Sequence, residues 1–392
     1  MYNFQYFTPT KVVFGKETEN QVGELVKACG CKKVLIHYGG GSVVRSGLLD
    51  RVKSKLDEKN INYVELGGAV PNPRLSLVYK GIELAKKEGV DFILAVGGGS
   101  AIDSAKAIGY GAANEGDVWD FYDYKRKAEA CLPIGVILTL SATGSEMSDS
   151  SVITKEEGWI KRGYSSDLCR PVFAIMNPEL TMTLPAYQTS CGCTDIMMHT
   201  MERYFTNGGN MEITDSIAEG LLRTVMANAR ILMDKPDDYD ARAEVMWAGS
   251  ISHNGMTGCG SDGGDWMCHK IEHEIGGMFD VAHGAGLAAV WGTWARYVYE
   301  SCISRFNKFA LNVMKVEDTG DDKKNALMGI EALEKFFTQI NMPISLKELG
   351  VEPTDDEIAE MAEKCAVACG QEGGSARKLK ESDIKEIYMR AR

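Results

Sequence analysis

The chain has 392 residues, enough for two domains with separate cores. Its 44% hydrophobic and 25% charged residues are those of a globular protein. The 55 acidic against 43 basic side chains leave a net charge of −12, which argues against a nucleic-acid partner, whose phosphates need a basic face. The opening MYNFQYFTPTKVVFG lacks the basic region and apolar run of a secretory signal, and the uncharged run at 281–295 is too short to span a bilayer. A cytoplasmic protein with no membrane association is expected. The eleven cysteines form no repeated C-x-x-C pairs and read as reduced, mostly buried thiols.

In chain order, KKVLIHYGGG (32–41) reads as a strand ending in glycines, and residues 42–60 as an amphipathic helix. NYVELGG (62–68) is a strand closed by Pro71-Asn72-Pro73. A helix over 75–89, a strand at 91–100 and a helix at 101–113 follow, with further strands in PIGVILTL (133–140) and VFAIMNP (172–178). Apolar strands alternating with helices predict a parallel sheet covered on both faces. After Leu184-Pro185 the pattern becomes helical, with amphipathic stretches at 187–206, 212–233, 237–256, 264–275, 284–299, 323–339 and 354–370, and with Pro185 fitting a first turn. The expected organisation is an α/β dinucleotide-binding domain over 1–183 and an all-helical domain over 184–392.

AVGGGSAIDSAK places a glycine turn between a strand and a helix, where backbone N–H groups attract phosphate. The plain alternative is a tight turn with Ser100 and Asp103 as a capping box. Gly97-x-Gly99-x-x-Ile102 lacks the third glycine of the dinucleotide fingerprint, and Lys106 is not preceded by the glycine of a Walker loop. A second loop, HYGGGS at 37–42, also ends a strand, and two such loops suit a dinucleotide across a parallel sheet. No acid follows at 39–42 to bind a ribose 2′-hydroxyl. With Ser42 and Arg45 nearby, NADP(H) is favoured over NAD(H).

Three of the six histidines, His269, His273 and His283, fall within fifteen residues. His269 and His273 are four apart, on one helix face, and Gly276-Gly277 is expected to end that helix so that His283 can return to the same place. Upstream, Asp195 and His199 are also four apart. Any one of these histidines alone is more readily a satisfied core or surface residue. Together, Asp195, His199 and two of the three later imidazoles offer one oxygen and three nitrogens, a set for Fe²⁺ or Zn²⁺ rather than Mg²⁺ or Ca²⁺, with one imidazole left over. His269-Lys-Ile-Glu272-His273 also matches the H-x-x-E-H motif of inverted zinc proteases, which keeps a metallohydrolase as an alternative.

These residues resemble the iron-containing (group III) alcohol dehydrogenase family, in particular its NADP-dependent butanol dehydrogenase and broad-specificity aldehyde reductase branch. The resemblance covers nearly the whole chain. It rests on YGGGS (38–42), PNP (71–73), GGGSAID (97–103), TLSATGSEMS (139–148), TDIMMH (194–199) and HKIEHEIGGMFDVAHGAGLA (269–288). It implies a dinucleotide-binding domain with a Rossmann-like parallel sheet, followed by a helical metal-binding domain of the dehydroquinate synthase-like, iron alcohol dehydrogenase fold. It implies Asp195, His199, His269 and His283 as metal ligands and His273 as the leftover imidazole beside substrate and nicotinamide. Gly97, Gly98, Gly99 and Ser100 would hold the pyrophosphate, with Asp103 at the nicotinamide end. Gly40 and Ser42 would sit by the adenosine ribose, and Asn72, Thr139, Thr143, Ser148 and Lys161 would complete the cofactor contacts. A homodimer acting on small to medium alcohols and aldehydes is implied. Ser141, Asn177 and Cys191-Gly-Cys193 depart from the family pattern, and Cys193 raises the question of a competing thiolate.

The expected reaction is hydride transfer between nicotinamide C4 and a metal-polarised carbonyl, in a cleft between the two domains, with His273 either passing a proton or orienting a water. Trp266, Met267 and Trp291 suggest an apolar substrate pocket, with helix packing as the plain reading. A dehydroquinate-synthase-like lyase remains the other alternative, although only Arg203 and Lys270 offer positive charge near the metal residues.

Overall fold

The Val- and Ile-rich runs of the first half assemble one parallel sheet. The structure, a computed structural model, describes residues 1–392. Its strands are β1 (Lys11–Phe14), β2 (Lys33–Gly39), β3 (Asn62–Ala69), β4 (Phe92–Gly97), β5 (Ile134–Leu138), β6 (Ser150–Lys155), β7 (Ile160–Ser165) and β8 (Phe173–Met176). Six of them pair in the order β1-β8-β5-β4-β2-β3, all parallel, while β6 and β7 form a separate antiparallel hairpin. Helices α1 (Val22–Ala28), α2 (Ser42–Arg45), α3 (Leu48–Asp57), α4 (Leu75–Glu88), α5 (Gly99–Ala113) and α6 (Trp119–Tyr122) accompany the sheet.

Strands β4 and β5 are buried along their whole length, as a sheet covered on both faces requires. Alternate residues Val34, Ile36, Phe92, Leu94 and Val96 pack with Val22, Val26, Leu49, Val52 and Leu56 from α1 and α3. His37 points to the other face, where its Nδ1 lies 2.8 Å from Leu66 O, and burial pushes its pKa down to about 4. From β2 the chain moves outward to β3, then returns to β4 on the far side of β2. The carboxyl ends of β2 and β4 are therefore adjacent at the point where strand order reverses, and both end in glycine loops.

Helices α7 (Ala186–Tyr204), α8 (Glu212–Asp234), α9 (Tyr239–His253), α10 (Met267–Phe279), α11 (His283–Val298), α12 (Ile303–Asn312), α13 (Asp322–Gln339), α14 (Leu346–Leu349), α15 (Asp355–Ala368) and α16 (Glu381–Ala391) build the second unit. Its core joins Met197, Phe205, Trp291, Trp294, Phe306 and Phe309. No helix is long and apolar enough to cross a membrane.

The division into units falls at Thr183/Leu184, with one difference from the expected boundaries: Met1–Phe7 belong with the helical unit. Tyr2 N donates to Gly260 O at 2.9 Å, a pairing inside the helical unit. Three further expectations are corrected. Helix α10 runs through Gly276-Gly277, which are buried, and ends only at Asp280 in the left-handed region (φ 52°). Pro185 stands one residue before α7, with extended ψ, rather than inside its first turn. The hairpin β6–β7 and helices α12 and α16 had no counterpart in the predicted elements.

Candidate functional site

The glycine loop after β4 meets the segment after β5 at very close range. A Cβ on Gly98 would stand 2.9 Å from Leu140 Cβ, and one on Gly99 would stand 2.4 Å from Thr143 Cγ2. Thr139 N donates to Gly97 O at 3.0 Å, and Ser145 N donates to Thr143 Oγ1 at 3.2 Å. Gly97, Gly98, Gly99, Thr139 and Thr143 are thus one surface, with the N-terminus of α5 opening from it. The capping-box reading fails: α5 has no side-chain cap, and Asp103 is turned away from Ser100. The Asp103 carboxylate instead accepts from Ser145 Oγ at 2.6 Å and Val152 N at 3.0 Å, so it ties α5 to the segment leading into β6.

Lys106, which lacks the preceding glycine of a Walker lysine, is fully buried. Its Nζ donates to Ser148 O (2.9 Å), Ser150 O (2.8 Å) and Ser148 Oγ (3.3 Å), so it fastens that same segment and is no phosphate ligand. Its burial has no local sequence signal. Lys161 is buried in β7 opposite Thr154. Asn72 is buried at φ 52°, with its carbonyl accepting from Arg74 Nη1 at 2.9 Å. Gly40 has open space around it, and Ser42 is exposed at the start of α2.

In the helical unit, three ring nitrogens surround one carboxylate oxygen. His199 Nδ1, His269 Nε2 and His283 Nε2 lie 3.6, 3.7 and 3.6 Å from Asp195 Oδ1. A tetrahedral ion with bonds of about 2.1 Å needs donors about 3.4 Å apart, which these three distances to Asp195 Oδ1 approach, and the donor atoms of Asp195, His199 and His269 all lie within 4.8 Å of one another. Asp195 Oδ1, His199 Nδ1 and His269 Nε2 are buried without a hydrogen-bond partner, which a protein core avoids unless something else completes the set. The residues therefore fit a divalent cation. His273 stands beside this group, its ring centroid 5.8 Å from that of His283 and 6.5 Å from that of His269.

Burial drives the His199 pKa far down, and the neighbouring rings of His253 and His269 add to this. Burial also works to lower His269, but the carboxylates of Asp195 and Glu202 outweigh it and push the pKa up to about 9. A proton on His269 and a metal ion are thus alternative ways of neutralising the same oxygens.

Further side chains surround the four. Glu202 Oε1 accepts from His269 Nδ1 at 2.8 Å, and Glu272 Oε2 bonds to His283 Nδ1. His253 packs edge-on against His199 with centroids 4.0 Å apart. Trp266, held at φ 63°, lies under the Arg203 guanidinium at 4.5 Å. Met267 and Trp291 are core residues, so the plain packing reading holds for both.

Residues 9–178 match the iron-containing alcohol dehydrogenase family, and residues 189–392 match the family's C-terminal domain. The chain belongs to the iron-containing alcohol dehydrogenase family. It is 40% identical to an NADH-dependent butanol dehydrogenase A of Clostridium acetobutylicum, over 392 residues and the full length of both chains. It is 35% identical to an NADPH-dependent aldehyde reductase of Escherichia coli, over 90% of each chain. A crystal structure of an NADH-dependent butanol dehydrogenase A from Thermotoga maritima is 41% identical, covers 100% of this chain and 99% of its own, and superposes with a TM-score of 0.96.

This alcohol dehydrogenase is thus an NAD(P)H-linked oxidoreductase acting on alcohols and aldehydes, and its family uses a nicotinamide cofactor and a divalent metal. The two alternatives lose ground on geometry as well. Glu272 is fully buried against His283, so it is not placed as the base of a protease. Arg203, which a sugar-phosphate lyase would want free, donates to His199 O and Ser252 O at 2.8 and 3.1 Å. Two of the departures from the family pattern, Asn177 and Cys193, also have a structural account. Burial pushes Cys193 up to about 12, so it stays a neutral core thiol. Asn177 accepts from Glu179 N at 3.1 Å, as an aspartate would, but its Nδ2 donates to the buried Glu19 at 2.9 Å, where a second carboxylate would repel.

Proposed function

We propose that this dehydrogenase interconverts small to medium primary alcohols, such as butanol, with their aldehydes, using NADPH in preference to NADH. The observation that carries the chemistry is the convergence of three imidazole nitrogens on Asp195 Oδ1 at 3.6–3.7 Å. Asp195, His199, His269 and His283 are the ligands in this reading, for Fe²⁺ or Zn²⁺. An ion held there supplies Lewis acidity to a carbonyl or alcohol oxygen.

His273 is close to the ligand rings and half-buried, and it holds or passes the proton of the substrate oxygen. The surface made by Gly97, Gly98, Gly99 and Ser100, together with Thr139 and Thr143, binds the pyrophosphate at the start of α5. Asp103 and Lys106 keep that surface in shape by fixing residues 145–152. Ser148, Lys161 and Asn72 complete the cofactor contacts in this reading. The preference for NADPH is supported by the acid-free stretch Gly39 to Ser42, with Gly40 and Ser42 by the ribose and exposed Arg45 one turn on. Its relatives are named for both nucleotides.

The test is a metal analysis of purified protein, combined with NADPH and NADH oxidation on a series of straight-chain aldehydes. About one Fe or Zn per chain and faster oxidation of NADPH with butanal are expected. A metal-free protein with full activity overturns the metal reading, and faster NADH oxidation overturns the cofactor preference.

A further inference from the structure

His199 and Glu202 are three residues apart on α7, and His269 and Glu272 are three apart on α10. In neither pair does the glutamate serve the histidine on its own helix. Glu202 reaches from α7 to α10, where Oε1 accepts from His269 Nδ1 at 2.8 Å and from His269 N at 2.9 Å. Glu272 reaches from α10 to His283, the first residue of α11. Both glutamates are buried, at 3% and 0% exposure. Room for the second is made by Gly286, where a Cβ would stand 2.8 Å from Glu272 Cγ.

We propose that Glu202 and Glu272 are positioning residues that brace His269 and His283 for a divalent ion, and that they set its affinity. The proposal rests on the reading of Asp195, His199, His269 and His283 as ligands. A neutral imidazole has two tautomers, and only the one with the proton on Nδ1 presents a lone pair at Nε2. In both histidines the nitrogen facing Asp195 is Nε2, and the one facing the glutamate is Nδ1. Each carboxylate therefore selects the ligating tautomer, fixes the ring plane and strengthens the ring as a donor. Burying a carboxylate is costly unless its partners are well aligned, so two such residues in a helical core point to a role beyond packing. His199 differs: it turns Nδ1 inward and is packed by the ring of His253.

The test is chelator-competition titration of Zn²⁺ into metal-stripped wild-type protein and into Glu202→Ala, Glu202→Gln, Glu272→Ala and Glu272→Gln, with folding checked by circular dichroism. Each alanine variant is expected to bind zinc about 10–100-fold more weakly. Each glutamine variant keeps an acceptor for the Nδ1 proton, so it is expected to recover part of that loss and to bind about 3–10-fold more weakly than wild type. Ring-nitrogen NMR of the zinc-loaded protein should show His269 and His283 bound through Nε2 in wild type and in both glutamine variants. Wild-type protein that does not bind zinc overturns the ligand reading, and this proposal with it. Tight binding by wild type with all folded variants within about twofold overturns the positioning role alone. Should an alanine variant not fold, its glutamine counterpart decides on the same twofold criterion.

Discussion

Gly284 stands directly against the backbone carbonyl of Cys191, where a Cβ would come 2.1 Å from the oxygen and 2.7 Å from the carbon. Only a glycine lets the first turn of α11 approach α7 this closely, and the neighbouring His283 is thereby set beside Asp195. Gly284→Ala is expected to push that turn outward by the width of a methyl group. Overpacking of this kind costs about 1–3 kcal/mol. Bound metal should fall together with Tm, measured by elemental analysis and thermal unfolding. Full metal content at an unchanged Tm would show that the approach is not tight.

The ligand assignment separates His273 from His283. His273→Ala should slow turnover roughly 10²–10⁴-fold, the usual worth of a general acid or base, while metal content stays near wild type. His283→Ala should lose the metal itself. Metal loss in the first variant, with retention in the second, reverses the assignment.

Gly99→Ala addresses the nucleotide loop. The new methyl group would meet Thr143 Cγ2 and Oγ1 at 2.4 and 2.6 Å, forcing apart two walls of the proposed pyrophosphate surface. The expected outcome is a KM for the nucleotide raised at least about tenfold, a loss of about 1.4 kcal/mol of binding, with metal content unchanged. Steady-state kinetics with varied NADPH measures it.

Metal removal should expose a pH dependence that the loaded protein lacks. In the metal-free state Asp195 and Glu202 overcome the effect of burial and push His269 up to about 9, above its ordinary value of 6.5. The proton's contribution to stability is full below about pH 6.5 and is lost as pH rises through about 9. Metal-free protein is expected to lose on the order of 2 kcal/mol between pH 7 and 10 relative to metal-loaded protein. Chemical denaturation of both forms across that range checks it. Parallel curves would show that His269 does not carry this proton.

Much of this was legible from local spacing. Alternating apolar strands and helices announced the parallel sheet, and the pairs Asp195/His199 and His269/His273 announced two helix faces carrying polar groups. Such patterns depend on neighbours within one or two turns, where chain geometry leaves little freedom. Local rules misled where packing overrode them: Gly276-Gly277 looked like a helix end, yet α10 continues through them in a buried setting. Asp103 looked like a cap, yet it reaches forty-two residues ahead to Ser145 Oγ.

What tertiary structure alone decided is how groups distant in sequence share one environment. Glu202 meets His269 across sixty-seven positions, and no period in the sequence marks that pairing. The hydrogen bond links α7 to α10, and the Asp195 and Glu202 carboxylates together push the imidazole pKa upward. Residue types and their spacing set which chemistry was available. The packing of α7, α10 and α11 set which nitrogens face Asp195, since ring orientation is fixed by partners on neighbouring helices and not by the helix that carries the ring.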